Sequence, residues 1–165
     1  MNKTGFTLVE VLTTVVIIGV LTSIALPRYV RAIERARATE AMSALKAMND
    51  SVYAFFAEKN TCPTSFNQLV VKVEGSSNAT HTRITSKFFR FDLAGATGAN
   101  VPGTDCAGVL ATRNNGGSYA YTIWNPYTRG TTGKALALQC APTDENDTKS
   151  RAICESLGLY REPSN

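Results

Sequence analysis

The residue that asks most of chemistry is Glu10, a carboxylate set in an apolar run with no further charge from residue 11 to residue 26. A helix needs about 20 mostly apolar residues to cross the ~30 Å hydrocarbon layer. An ionisable group at the edge of such a helix is costly unless paired, so Glu10 calls for a partner. Other candidate chemistry is thin. His81, the one histidine, falls in a polar, loop-like segment and reads as incidental rather than as a general base. No Ser-His-Asp arrangement, metal-ligand spacing or phosphate-binding loop is legible, so no enzyme, cofactor or metal is expected. Asp144, Glu145, Asn146 and Asp147 gather hard oxygens as a calcium site would. They lack EF-hand spacing and read as solvated loop acids. Asn78-Ala79-Thr80 and Asn146-Asp147-Thr148 match the glycosylation sequon, a pattern common by chance.

The apolar run has competing readings: an ordinary anchor, a secretory signal peptide or a buried core helix. Ser23-Ile24-Ala25 fits a small-x-small cleavage pattern, but Lys3 alone supplies the n-region charge and Glu10 would open the h-region. A core helix is rarely apolar all round. A retained membrane helix is therefore expected, continuing past Pro27 to about Glu58, with a kink where proline removes a hydrogen bond. Such a helix would be ~80 Å long. Residues 28–40 are rich in charge, whereas Ala41, Leu45, Met48, Val52, Phe55 and Phe56 form an apolar stripe. The folded domain is thus expected to pack on residues 41–56, leaving 28–40 to solvent or neighbouring subunits.

The string Gly5-Phe6-Thr7-Leu8-Val9-Glu10 resembles the processing site of type IV pilins and the related pseudopilins of type II secretion. Gly19, Pro27 and Tyr29 also fall where that family's helix has a glycine, a proline and a tyrosine, and the pattern extends over about the first 55 residues. The resemblance implies cleavage between Gly5 and Phe6 by a prepilin peptidase, N-methylation of Phe6, and a role for Glu10 in assembly. It further implies that the stretch from Gly19 to Pro27 loosens when subunits pack into a fibre. In a helix bundle, Glu10 of one subunit can pair with the Phe6 amine of a neighbour. Opposite charges at ~4 Å in a poorly screened setting offset much of the desolvation cost.

The chain has 165 residues, 44% apolar and 18% charged, which suits one domain plus an anchor. A net charge of +4 without a long basic run is a weak sign of nucleic-acid binding. Cys62, Cys106, Cys140 and Cys154 all lie beyond the anchor, and their spacings match neither zinc nor C-x-x-C chemistry. Two disulfides in an exported domain follow, with three pairings open. Resemblance to the family's disulfide-bound tail implies Cys140–Cys154, worth roughly 3 kcal/mol of loop entropy, and leaves Cys62–Cys106. One feature opposes export: Arg28, Arg31, Arg35 and Arg37 follow the apolar run, whereas Lys3 alone precedes it. A positive-inside count would put the domain in the cytoplasm. The cysteines and the processing motif outweigh that count.

Beyond the helix, Asn60-Thr61-Cys62-Pro63-Thr64 is a break. A short second helix is expected over 65–69, with Phe66, Leu69 and Val70 inward, and 75–81 reads as exposed loop. Strands are expected over 87–93, 108–113, 118–124 and 134–140, with turns at 114–117 and 129–133. Trp124 and the tyrosines read as sheet packing. The expected fold is α+β: a long N-terminal helix whose C-terminal half packs on a three- to four-stranded antiparallel sheet. Residues 1–5 would be leader, 6–27 membrane and filament-core helix, and 28–165 the exported domain. The resemblance implies a structural subunit, stored in the bacterial inner membrane and polymerised into an extracellular homo-oligomeric filament by an assembly machinery. The alternatives are a major pseudopilin or a minor pilin binding DNA, with an anchored enzyme as the outsider.

Overall fold

The computed structural model describes residues 5–93, 108–114, 119–125 and 137–160. Helix α1, Leu8–Lys59, carries Pro27 in its interior. It ends at Asn60, whose left-handed backbone (φ 51°) lets its N–H close on the Phe56 carbonyl. At 1.5 Å per residue its 52 residues span ~78 Å. A 3-10 turn, Phe66–Gln68, follows in place of the expected short helix. Phe66 and Leu69 are buried, but Val70 is 89% exposed, against expectation. Its backbone rather than its side chain meets α1, because the Val70 N–H donates to Ser51 Oγ at 3.0 Å.

The sheet is an antiparallel meander in chain order: β1 (Ser76–Ser77), β2 (Arg83–Thr85), β3 (Phe89–Leu93), β4 (Val109–Arg113), β5 (Tyr121–Trp124) and β6 (Gln139–Pro142). Among the described residues it has six strands, not three or four. The two extra strands are short and polar and carry no apolar alternation to read. Their hairpin is organised by Asn78, whose Oδ1 accepts the N–H groups of Thr82 and Arg83 at 2.9 and 3.0 Å. Arg83 and Arg90 then close on Asp92 at 2.5 and 2.8 Å. The expected turns lie outside the described residues, apart from Asn114.

Strand β4 lies against α1. Alternation puts Val109, Ala111 and Arg113 inward on β4, and Tyr121 and Ile123 inward on β5. The apolar ones share one core with the α1 stripe Ala38, Ala41, Leu45, Met48 and Val52, to which β3 adds Leu93 and the C-terminal segment adds Ile153. Gly108 makes room for a side chain of α1: a Cβ there would overlap the Asn49 amide that accepts the Val109 N–H at 2.8 Å.

A second helix, α2 (Thr148–Ser156), begins directly after the loop acids 144–147. Asp147 caps it, accepting the N–H groups of Lys149 and Ser150 at 3.0 and 3.1 Å and the Ser150 hydroxyl at 2.5 Å. The Ser150 hydroxyl bond, outweighing burial, holds the Asp147 carboxyl below its ordinary value. Buried Ser150 Oγ in turn accepts the Ala120 N–H at 2.7 Å, so one carboxylate both starts α2 and docks it beside β5. Replacing Asp147 by alanine is therefore expected to cost about 1–2 kcal/mol, the upper part of the N-cap range, measured by urea unfolding. Cys140 of β6 and Cys154 of α2 are joined by a disulfide with Cα atoms 5.3 Å apart.

Candidate functional site

The N-terminal part of α1 is bare. Every residue from 5 to 32 is exposed, and this part of the helix is long and apolar enough to cross a membrane. Phe6 is 88% exposed, and Leu8, Leu12, Val16, Val20 and Ile24 also face outward. Such a contiguous apolar surface demands lipid or protein cover. Gly5 precedes the helix, whereas Gly19 and Pro27 lie on its exposed surface. A Cβ at Gly19 would meet nothing within 4 Å, so the glycine is not demanded by packing inside the subunit.

Glu10 already has an intramolecular partner. Its Oε2 accepts the Thr7 N–H at 2.8 Å and the Thr7 hydroxyl at 2.7 Å, while Thr7 Oγ1 accepts the Glu10 N–H at 3.3 Å. This is a reciprocal capping box. Its signal, a threonine three residues before a glutamate at the start of an apolar run, stands in the sequence but was masked by the oddity of the acid itself. Thr7 and Glu10 thus fix where α1 begins, next to the Gly5–Phe6 bond.

Where the bare helix enters the domain, the structure differs from expectation. Burial begins at Glu34, 1% exposed, not at Ala41. Glu34 Oε1 accepts Arg113 Nε at 2.6 Å and the Tyr121 hydroxyl at 2.9 Å. Its Oε2 accepts Arg113 Nη2 at 3.2 Å and Arg37 Nη1 at 3.3 Å. Arg113 Nη1 donates to the Phe88 carbonyl at 2.8 Å, and the Arg37 guanidinium lies 4.2 Å from the centre of the Phe88 ring. Burial pushes the Glu34 carboxyl up, but the bonds from Arg113 and Tyr121, the Arg113 charge and the Arg37 bond prevail, leaving it below the ordinary 4.5. Burial first, then the Glu34 charge, drives the Tyr121 hydroxyl far above its ordinary 10.0. The charged stretch is therefore not wholly left to solvent: Glu34 and Arg37 clamp the helix to β4 and β5.

The remaining candidates fall apart in space. His81 sits in a turn at φ 53°, where its carbonyl accepts the Phe66 N–H at 2.8 Å. Trp124 is half-buried on β5. Asp144 Oδ1 accepts the Asn146 N–H at 2.9 Å, a local turn contact. Cys62 is disulfide-bonded, and Cys106 lies outside the described residues.

The family model for the prokaryotic N-terminal methylation motif matches residues 1–26. The type IV major pilin protein PilA of Myxococcus xanthus (strain DK1622) is 37% identical over 65 residues, 39% of this chain. The match spans 30% of that relative's length. No solved structure matches the chain. The chain is therefore similar to type IV pilins in the segment that carries the methylation motif and the bare, apolar helix.

Proposed function

We propose that the chain is the structural subunit of a type IV pilus, stored in the inner membrane through residues 6–27 and polymerised through the same helix. The observation that carries this reading is the bare, apolar α1 segment that carries the N-terminal methylation motif. In this reading a prepilin peptidase cuts between Gly5 and Phe6, and Phe6 is then methylated. Residues 28–165 are the exported domain, with Cys62–Cys106 as its second disulfide beside Cys140–Cys154. Glu10 pairs with the Phe6 amine of a neighbouring subunit in the homo-oligomeric filament, and Gly19 and Pro27 let the intervening helix adjust.

Electron microscopy of sheared surface material, combined with mass spectrometry of the subunit's N-terminus, tests the proposal. The expected result is a filament built from chains beginning at N-methylated Phe6. A subunit that retains residues 1–5, or that never leaves the membrane fraction, would overturn it.

A further inference from the structure

Against the charged segment of α1, helix α2 leaves a groove of about 540 Å³. Arg28, Arg31 and Arg35 enter it from α1, Lys149 and Ser156 from α2, and Tyr119 from the approach to β5. Among the described residues that line it are four cations and no carboxylate. The arginines follow at steps of three and four, so they share one helix face. Arg35 is committed: its Nη2 donates to the Ser156 carbonyl at 3.1 Å and fixes the far wall. Arg28, Arg31 and Lys149 have no ion pair among the described residues. A cluster of like charges fixed in one groove repels itself, and an anion would relieve that repulsion.

Position along α1 indicates which anion. At 1.5 Å per residue, Arg28 and Arg31 stand about 3 and 7.5 Å beyond Leu26, where the apolar run ends. The headgroup layer on each side of the hydrocarbon is about 5–7 Å thick. Arg28 and Arg31 are thus about level with lipid phosphates once the apolar segment is in a bilayer. We infer that the α1–α2 groove seats the phosphate of an anionic phospholipid of the leaflet facing the domain, gripped by Arg28 and Arg31, with Lys149 as an outer charge. Arginine's fork suits a phosphate, and lysine serves as a point charge. A nucleic acid is a poorer occupant, since single strands need a long basic track with several stacking aromatics, and among the described residues lining this groove Tyr119 is the one aromatic. The seat also gives the arginines whose positive-inside count opposes export a local use: they hold the stored subunit at the surface it must later leave.

This inference rests on the membrane-stored reading. The full-length mature chain would be reconstituted in bilayers of equimolar phosphatidylglycerol and phosphatidylcholine, and the lipids it retains counted by native mass spectrometry. The wild type is expected to prefer phosphatidylglycerol about tenfold, and Arg28→Gln/Arg31→Gln to lose that preference. Lys46→Gln/Lys72→Gln, which removes the same charge from exposed sites elsewhere, is expected to keep it. Equal retention of both lipids by the wild type, or an equal loss in the lysine variant, would overturn the seat. Stripping of the lipid by millimolar inorganic phosphate would reassign the groove to a free anion, and stripping by a short DNA to nucleic acid; either overturns the lipid assignment. A chain that does not insert at all brings down the membrane-stored reading as well, whereas insertion without preference removes the seat alone.

Discussion

Arg113→Met is expected to destabilise the folded domain by about 3–5 kcal/mol, a larger loss than truncation of most single side chains. Arg113 supplies two of the four bonds that hold the buried Glu34 carboxylate. Without it, Glu34 keeps Tyr121 and the half-exposed Arg37, too little to offset desolvation of a charge that is 1% exposed. The loss should follow pH in a defined direction. The wild-type Glu34 carboxyl sits below its ordinary 4.5, so its contribution is complete above 4.5 and fades as pH falls through the folded value. In Arg113→Met that carboxyl is released from its cation and takes up a proton more readily, so the gap between variant and wild type should narrow on acidification. Glu34→Leu/Arg113→Met/Tyr121→Phe should recover most of the loss, because it removes the buried polar groups of the clamp together. Urea unfolding between pH 3 and pH 8 checks all three expectations. A loss below about 1 kcal/mol for Arg113→Met would show that the clamp is incidental to stability. At the alkaline end, Tyr121 lies above its ordinary 10.0, so its contribution holds below 10 and is lost only as pH rises further.

The same clamp shows where the sequence could be read and where it could not. Leu45, Met48 and Val52 announce the packed face because apolar side chains at steps of three and four have few other uses. Glu34 continues the same stripe through Ala38, but an acid on an apolar stripe is ordinarily a solvated interruption. Only Arg113, at inward parity on β4, turns it into a buried pair, and 79 residues separate the two. Pairing at that range leaves no local pattern. Strands β3, β4 and β5 were legible through alternation, whereas β1 and β2 exist because Asn78 folds their turn and Asp92 gathers two arginines. Helix α2 was missed because its N-cap, Asp147, belongs to a run of acids that reads as loop, and the helix itself is weakly apolar. The N-terminal methylation motif was the most legible part, although the capping box within it was not read. Its chemistry is local, compressed into Gly5, Phe6, Thr7 and Glu10, and independent of the rest of the fold.

That locality makes Glu10 the position where one substitution should have the largest effect on assembly. In a bilayer the apolar face of α1 is already covered, so trading lipid for neighbouring helices gains little from hydrophobic burial. What distinguishes a correct neighbour from lipid must then come from packing and from polar groups, and Glu10 is the acid of the bare helix. In the isolated chain it is held by Thr7. Assembly on the proposed reading turns that carboxylate toward the Phe6 amine of another subunit, where a full positive charge replaces neutral donors. Glu10→Val is accordingly expected to remain in the membrane fraction at wild-type levels while surface filaments fall at least about tenfold, the effect of losing roughly 1.4 kcal/mol per subunit contact. Glu10→Gln separates the two roles of the side chain. Its amide oxygen can still accept from Thr7 and preserve the capping box, but it carries no charge for the amine. If pairing sets register, Gln should fail as Val does; if the helix start is what matters, Gln should assemble. Filament yield by shearing and electron microscopy, normalised to membrane-bound subunit, gives the comparison. Wild-type yield from Glu10→Val would remove the carboxylate from assembly altogether and leave it only the cap on Thr7.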